Sequence, residues 1–435
     1  IWCGIGIATI FDLLQKRFTF KTKSSIITLA LLLPIPTLAI PLQMVSQTWD
    51  DHDRSNRYMC RDFGQNYLES TAQNAILFTN GDNETFSLWY NQETEGKRTD
   101  VRVCNLQYLQ TSWYIDQMKR PAFTSSPLPI PWSQEQYMDG VNEWISVNPE
   151  IEEGLKVSDA IKQITQQDPA LAKRLWGDDP FELTTAIRKF VLRQYEGLSS
   201  EEKELVEQIP ICLPSESLHI TVDKEAVRKS GMKIVGEIPD RMDIDLSKER
   251  HITKAFLLVL NMIGETNFSR PIYFSLTSGA DSYGELYHYF IQEGLAWRIT
   301  PFYIKENKQE YGITECICDT EKMYDNMMNK YRYGNTSMPG IYLDETISRM
   351  CTTHRRCFAK LATQLIKEGK KDKALKVLER CEKEIPSYNL PYSYSEWSFD
   401  IANAYLQCGR KDKAEKIYNQ LETTYKEYKK WQQTK

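Results

Sequence analysis

The sequence contains little of what the commonest catalytic and metal-binding motifs need. Only five of its 435 residues are histidine, and its ten cysteines include no Cys-x-x-Cys pair. No Cys or His spacing therefore indicates a zinc site. The chain also lacks the Gly-x-Ser-x-Gly elbow of serine hydrolases and the glycine-rich fingerprint of dinucleotide-binding proteins. We therefore predict neither a metal nor a nicotinamide or flavin cofactor.

An excess of positive charge is missing as well. The formal net charge is −5 at pH 7. A nucleic-acid-binding protein usually carries a strong basic field, so this balance argues against nucleic acid as the main partner. At 435 residues the chain exceeds the size at which single domains usually stop growing, roughly 250 to 300 residues, which favours several domains.

One uncharged apolar run stands out, the seventeen residues Ile26–Leu42. Its length lies at the lower edge of what spans a hydrocarbon core, roughly 17 to 25 residues. The prolines inside it are tolerated in membrane helices when neighbouring helices satisfy the freed carbonyls. We predict one spanning helix at about 24–44, which closes a membrane-helix region over residues 1–45.

The flanking charges predict an orientation for this helix. Ile1–Leu14 has the pattern of the end of an earlier membrane helix, and Gln15–Lys23 carries four basic residues and no acid. By the positive-inside rule this loop is cytoplasmic. The protein is thus expected in the inner (cytoplasmic) membrane, with residues after about 46 periplasmic or otherwise extracytoplasmic. The alternative is a buried hairpin of a soluble domain.

The remaining chain divides by composition into four segments. Residues 46–126 are predicted to form the first part of an α/β domain, and 127–265 a mixed, largely helical insertion. Residues 266–345 form the second part of that domain, and 346–435 a helical repeat region. Within the insertion, Ser199-x-x-Glu202 predicts a capping box at a helix start, and Ala255–Ile263 predicts a buried helix.

Two stretches share one order of elements. Asn74–Leu106 and Arg270–Tyr303 each read as strand, glycine-containing turn, aromatic helix and strand. Such alternation is typical of α/β folds with a mainly parallel sheet. We therefore predict that both stretches share one such sheet, with Asp82 and Asp281 in turns at its carboxyl edge.

The last ninety or so residues contain an internal repeat. The segment Gly369–Ala374 recurs as Gly409–Ala414, forty positions later. Apolar residues at matching offsets make each copy resemble a tetratricopeptide repeat, so this region is predicted to be an all-α tetratricopeptide-like repeat pair. Two repeats rarely bury enough surface alone, and the pair is expected to pack on the α/β body through a helix near Thr346–Cys357. The cysteines are expected to be mostly buried free thiols, with at most one disulfide.

The first candidate site is the run Asp50, Asp51, His52, Asp53 and Arg54, just beyond the predicted membrane helix. Its carboxylates and imidazole could bind a divalent cation, and Arg54 could meet the phosphate of a lipid-linked sugar. The alternative is a polar network that clamps the following domain to the helix. Neighbours on an extended segment point in opposite directions, so proximity in sequence alone proves no coordination.

The second candidate site is the turn that contains Asn80, Asp82, Asn83 and Glu84. Ligands of open α/β sheets usually bind at the carboxyl end of a strand, facing a helix amino terminus, and Gly81 would permit a left-handed turn there. Asp82 or Asn83 could equally be the cap of the following helix. The 24 Tyr and 10 Trp could supply sugar-stacking platforms, although packing in the core is the commoner use.

Several motifs resemble, in the same order, the domain of unknown function 2723 family, which is grouped with glycosyltransferase family 117. They are Trp49–Ser55, Ile76–Phe86 with Trp89-Tyr90, Asp100–Val103, Trp113–Lys119, Arg270–Phe274, Glu293–Ala296, Tyr324–Lys330 and Tyr342–Thr346.

This resemblance implies an integral-membrane glycosyltransferase that transfers a sugar from a lipid-linked donor to a protein or glycan acceptor outside the cytoplasm. Its relatives include a transmembrane protein O-mannosyltransferase. Enzymes of this architecture place the catalytic acid in the first external loop, which is expected before Ile1, so this fragment is expected to be inactive alone. Two other classes stay open: a non-enzymatic envelope scaffold, and a metal-dependent hydrolase using Asp50–Asp53 and Asp82.

Overall fold

The computed structural model describes residues 2–17, 27, 34–310, 312–393 and 396–433. Two helices come first, α1 (Trp2–Arg17) and α2 (Pro34–His52). In this described part of the chain, no helix combines the length and the apolar character needed to cross a membrane. Residues 24–26 and 28–33 of the predicted spanning helix, and 18–23 of the basic loop, lie outside the described residues. The predicted topology therefore stays a prediction.

The first α/β segment begins with α3 (Met59–Glu69) and alternates strands with helices. The elements that follow are β1 (Ile76–Thr79), α4 (Asp82–Glu93), β2 (Arg102–Asn105) and α5 (Ser112–Met118). Both strands are buried along their whole length, which explains why β1 reads as a continuous apolar run rather than an alternating one. A short 3-10 helix, Tyr108–Gln110, joins β2 to α5.

Residues 127–265 combine short helices with small sheets. The helices are α6 (Gln134–Tyr137), α7 (Val157–Gln167), α8 (Pro169–Trp176), α9 (Leu183–Ala186), α10 (Ser200–Glu207), α11 (Lys224–Lys229) and α12 (Lys254–Thr266). The strands are β3 (Trp144–Val147), β4 (Glu150–Glu152), β5 (Leu155–Lys156), β6 (Cys212–Leu213), β7 (Ser217–Thr221), β8 (Arg241–Asp245) and β9 (His251–Thr253). Strand β3 lies between β6, which is parallel to it, and β9, which is antiparallel.

Two local predictions for this segment are confirmed. At the start of α10, the Ser199 hydroxyl accepts the Glu202 N–H at 3.2 Å, and the Glu202 carboxylate accepts the Ser199 N–H at 2.9 Å. The predicted buried helix is α12, which is almost entirely buried. It packs in the core against the sheet strands, and it places its amino terminus beside β9.

The second α/β segment contributes strands and only one α-helix. Its elements are β10 (Ile272–Ser275), two 3-10 helices (Ala280–Ser282 and Gly284–Tyr289), β11 (Phe290–Gln292), β12 (Ala296–Ile299), β13 (Lys308–Glu310), β14 (Ile313–Glu315) and α13 (Thr320–Asp325). The aromatic helix predicted for this segment is therefore a 3-10 helix. It is followed by β11, a strand that the sequence pattern did not separate from β12.

Both α/β segments contribute to one five-stranded sheet with the order β11-β12-β10-β1-β2, as predicted. Ile76 and Phe78 of β1 pair with Ile272 and Phe274 of β10 in parallel register. Parallel pairing joins β1 to β2 and to β10, whereas β10–β12 and β11–β12 are antiparallel. Parallel pairs are thus half of the described pairings in this sheet. Only three residues separate β11 from β12, and so short a connection allows an antiparallel hairpin but no parallel crossover.

Four helices follow the sheet: α14 (Glu345–Lys367), α15 (Lys371–Glu384), α16 (Glu396–Gln407) and α17 (Lys411–Gln433). Helix α14 packs against α15 and α16, and α16 against α17. Gly369 and Gly409 follow α14 and α16 with φ of 77° and 80°, the left-handed conformation that ends many helices. The predicted forty-residue repeat is thus a pair of helical hairpins, and its assignment as tetratricopeptide-like stays a prediction.

The two faces of the sheet support separate cores. Ile76 and Phe78 face a core that contains α12, whereas Leu77 and Tyr273 face a core that contains α3 and the four carboxy-terminal helices. The repeat region therefore packs on the sheet, and α14 carries this contact as predicted. All cysteines whose side chains are described are free thiols, and most are buried.

Candidate functional site

A cleft opens where the three parallel strands of the sheet end. Asn80 follows β1, Gln107 follows β2, and Asp281 lies in the turn after β10; all three line one cavity of about 570 Å³. Helix α4 packs its Leu88 into the core on one face of the sheet, and the 3-10 helix after β10 packs its Leu286 into the core on the other. The connections thus leave the sheet on opposite faces, an arrangement that creates a ligand-binding crevice in open α/β sheets.

One wall of the cleft comes from the outer face of β3 and β9. Trp144 pairs with Thr253 and Ser146 with His251 in this antiparallel pair, so the four side chains share a face. The alternate residues, such as Ile145 and Ile252, are buried in the core. The Trp144 side chain remains 68 % exposed beside the cavity. An indole left in solvent next to polar groups is typical of a ligand-contact surface.

The polar groups that line this cavity together with Trp144 are mostly neutral. They are three amides (Asn80, Gln107, Gln110), two hydroxyls (Thr253, Ser282), one imidazole (His251) and two carboxylates (Glu249, Asp281). The Ser146 hydroxyl lies 3.2 Å from Nδ1 of His251, which holds the imidazole on the surface of the strand pair. The side-chain Oε1 of Gln110 accepts a hydrogen bond from the backbone N–H of Ala255, at the start of α12, at 3.4 Å.

A buried ion pair fixes the position of β3 relative to α12. Lys254, whose side chain is 0 % exposed, donates from Nζ to Oε1 of Glu143 at 2.7 Å. The same ammonium donates to the carbonyls of Tyr137 and Met138 at 3.1 and 3.3 Å. Because Glu143 directly precedes Trp144, this network sets the start of the strand that carries the indole.

The first predicted site lies away from this cleft. Helix α2 ends at His52, and the side chains of Asp50 and Asp51 lie outside the described residues. His52 uses Nδ1 to donate to the Thr48 carbonyl at 2.9 Å. Asp53 accepts the Ser55 N–H at 2.8 Å, and its hydrogen bonds with Ser55 lower the pKa of its carboxyl.

His52, Asp53 and Arg54 are exposed. His52 and Asp53 form their hydrogen bonds within their own segment, to Thr48 and Ser55. None of the three lines the cleft. Among the described residues, no three His, Cys, Asp or Glu side chains converge as metal ligands.

The second predicted site is only partly brought into the cleft. Asn80 lines it, whereas Asp82 and Asn83 are exposed in the first turn of α4 and do not. Gly81 precedes α4 with φ −101° and ψ 162°, so the predicted left-handed turn and the predicted Asp82 or Asn83 cap are both wrong. The carboxylate of Glu84 reaches back instead, because its position three residues into the helix places it over the free N–H groups. Its Oε1 accepts the N–H of Gly81 at 2.8 Å and that of Asn80 at 3.2 Å.

Glu84 is therefore expected to be structural, and Asp82 to contribute little stability. Glu84 is only 3 % exposed, and Glu84→Ala removes the carboxylate that accepts the N–H groups of Asn80 and Gly81. The free energy of unfolding should therefore fall by about 1 to 2 kcal/mol. Asp82→Ala should change it by less than about 0.5 kcal/mol. Urea denaturation of the two variants measures both values. Equal losses for the two would contradict the assignment of Glu84 as the capping group.

Comparison with known proteins assigns a family. Residues 60–317, more than half of the chain, match the family model described as TMEM260-associated domain 2. The chain belongs to the TMEM260-associated domain 2 family. The TMEM260 family is protein O-mannosyltransferase-like, which links this domain to membrane glycosyltransferases. No curated protein and no solved structure matches the chain. The matched residues include all the cleft residues named above and end before α14.

Within this TMEM260-associated domain, a row of aromatic rings lies near the residues of the cleft in sequence, and its two middle rings, Trp89 and Tyr108, are partly buried against the core. Tyr108 lies between two cleft residues, Gln107 and Gln110, and its ring stacks on Trp89 with a centroid distance of 6.3 Å. Phe86 extends the row on one side at 5.7 Å from Trp89, and Trp113 on the other at 6.0 Å from Tyr108. Phe86 and Trp113 are at least half exposed. Their spacing in α4 and α5 was visible in the sequence, but the contacts between the two helices' rings through Tyr108 were not.

Proposed function

We propose that this chain is the carboxy-terminal, extracytoplasmic part of an integral-membrane glycosyltransferase. The intact enzyme moves a sugar from a lipid-phosphate carrier to a protein or glycan acceptor. Within the family assignment, the motifs around Ile76–Phe86 further favour the domain of unknown function 2723 group and glycosyltransferase family 117. The catalytic acid belongs to a part of the enzyme outside this chain, and the TMEM260-associated domain binds a sugar unit.

The cleft beside Trp144 is the observation that supports this role. Its volume of about 570 Å³ lies within the usual range of small-ligand sites, about 300 to 1,000 Å³. Amide side chains both donate and accept hydrogen bonds, as sugar hydroxyls require, and an exposed indole offers an apolar face for the ring. The described residues that line this cavity include no lysine or arginine, and the nearby cations Lys248 and Arg250 line an adjoining cavity that shares Trp144 and His251. A neutral, hydroxyl-rich ligand fits this lining.

Substitution of Trp144 tests sugar binding directly. Trp144→Ala is expected to weaken binding of methyl hexosides to this chain about tenfold, which corresponds to about 1.4 kcal/mol of lost contact. Saturation-transfer NMR and titration with methyl mannoside, glucoside and galactoside measure the affinities. The matched control is Trp431→Ala, which removes another exposed indole from α17, remote in sequence from the cleft. Unchanged binding in Trp144→Ala would contradict the cleft assignment.

The transferase activity is tested on the intact membrane protein. Membranes that contain it are supplied with radiolabelled polyprenyl-phosphate hexoses, and the label in protein and in glycan is counted. Transfer by the wild type and at least a several-fold lower rate in Trp144→Ala are expected. A non-enzymatic scaffold is the second candidate, because the four carboxy-terminal helices lie beyond the family match. Absence of transfer by the folded, intact wild type would favour that scaffold.

A further inference from the structure

A second groove lies between the repeat region and the α/β body. Its volume is about 890 Å³, and one wall is a single face of α14 that presents Arg356, Lys360 and Lys367 at helical spacing. The groove is also lined by Tyr303, Ile304 and Ile317 of the body and by Phe399 of α16. The groove is distant in sequence from the residues of the sugar cleft, and nothing in the proposed transferase role assigns it a ligand.

Lys360 lines this groove without pairing with any of the described carboxylates around it. In the described part of the chain, its ammonium makes no hydrogen bond and no ion pair. The groups near it are the thiols of Cys316, Cys318 and Cys357 and the guanidinium of Arg356. Burial lowers the pKa of the Lys360 amine, and burial raises the pKa of Cys316 and Cys357 to about 12, so these thiols are neutral.

Arg356 holds a second positive charge one helical turn away. Its guanidinium lies 4.4 Å from the centroid of the Trp397 ring and donates from Nη2 to the Thr314 carbonyl at 3.1 Å. These contacts fix the group but supply no negative charge. Like charges four residues apart on a helix destabilise each other, and partial burial strengthens the effect. An anion between Arg356 and Lys360 would relieve this repulsion.

The remaining groups of the groove restrict what that anion can be. Glu306, Glu315 and Asp400 also line it, and Glu315 lies 3.6 Å from Lys308 in an ion pair. These carboxylates would repel a ligand of several negative charges, such as a nucleic acid or a polyphosphate. The cavity is far larger than one small ion, and Tyr303 and Phe399 add aromatic surface to its walls. An elongated ligand with a single acidic group and apolar neighbours matches this lining.

We propose that this groove binds an extended polypeptide segment through one acidic side chain, which Arg356 and Lys360 hold together. The side chains on either side of that acid contact Tyr303 and Phe399. The repeat region thereby recruits a protein partner on a surface formed jointly with the α/β body, because neither wall of the groove is complete alone. This binding does not depend on the transferase activity.

Fluorescence anisotropy on the full chain tests this site. The probe is a fluorescein-labelled nine-residue peptide of valine and serine with one central glutamate, and the matched peptide has glutamine at that position. The wild type should bind the glutamate peptide with a dissociation constant below about 1 mM and the glutamine peptide at least about tenfold more weakly. Lys360→Met should weaken glutamate-peptide binding at least about tenfold. Lys376→Met, which removes an exposed lysine of α15 outside the groove, should leave it within about twofold.

Charge reversal keeps the test decisive if one variant is unstable. Lys360→Glu should bind the same peptide with one central lysine better than the glutamate peptide, the reverse of the wild type. The site is overturned if the wild type binds neither peptide, if glutamate and glutamine peptides bind equally, or if folded Lys360→Met binds like the wild type. Lys360-dependent binding of phosphatidylglycerol vesicles, or displacement of the peptide by inorganic phosphate at equal concentration, would overturn the polypeptide as the ligand.

Discussion

Glu143→Gln is expected to lower the unfolding free energy by about 3 kcal/mol or more, and Lys254→Met by clearly less. The asymmetry follows from burial. Glu143→Gln leaves a fully buried ammonium with only neutral oxygen acceptors, whereas Lys254→Met leaves a carboxylate that is 36 % exposed and can be hydrated. Urea or thermal unfolding of the two variants measures the difference. Because the pair sets the start of β3, Glu143→Gln should also weaken sugar binding next to Trp144.

The double variant separates the charge effect from packing. If the loss in Glu143→Gln comes from the unpaired Lys254 charge, adding Lys254→Met should recover part of it, since the buried charge is then gone. A surface pair such as Lys162 with Asp159, both more than half exposed, is the matched control. Asp159→Asn should cost less than about 0.5 kcal/mol. A Lys254→Met loss larger than that of Glu143→Gln would contradict this explanation.

Acidification is expected to destabilise the contact between the repeat region and the sheet through His354. Its Nδ1 donates to the Met350 carbonyl at 2.9 Å, and its Nε2 accepts the Asn66 side-chain N–H at 2.9 Å. The rings of Phe63, Tyr331 and Tyr333 surround it. Burial lowers the pKa of His354 from 6.5 to about 4, so the folded chain keeps it neutral.

The direction of the pH effect follows from proton uptake. At pH 7 His354 is neutral in both states, so it contributes no pH dependence there. Below pH 6.5 the unfolded chain binds a proton that the folded chain does not bind until about pH 4. Stability therefore falls as pH decreases through this interval, by about 2 kcal/mol at pH 5 and about 3 kcal/mol at pH 4.

A variant isolates His354 from the carboxylates that titrate in the same range. His354→Gln can still accept from Asn66 but does not titrate, so its loss of stability between pH 7 and pH 5 should be about 2 kcal/mol smaller than that of the wild type. Urea denaturation at both pH values gives this difference. His251, on the exposed face of β9, is the matched control for replacing a histidine with glutamine. Identical pH profiles for wild type and His354→Gln would contradict a lowered pKa of His354 in the folded chain.

Local sequence patterns determined much of the architecture. The apolar runs of β1 and β10, the capping box at Ser199 and the nearly all-apolar stretch Ala255–Ile263 of α12 depend on neighbours a few residues away, so they could be predicted directly. The common order of the two α/β segments also predicted a shared sheet, and the forty-residue repeat predicted the helical hairpins. The antiparallel pairing of β11 with β12 follows from the three-residue connection between them, which an alternation of strands and helices in the sequence does not reveal.

The sites themselves depended on long-range contacts. Trp144 and His251 belong to strands about a hundred residues apart, and neither has a local signal until β3 pairs with β9 beside the end of β1. The sequence could not show which of the four predicted turn residues has which role. The geometry of the turn and of α4 makes Glu84 the capping group and leaves Asn80 as the one of the four that lines the cleft. The unpaired charge of Lys360 likewise exists only because α14 packs on the body. Sequence thus determined many of the elements and the link to a protein O-mannosyltransferase-like family, whereas tertiary packing decided which side chains share a site, since burial and pairing arise between residues distant in the chain.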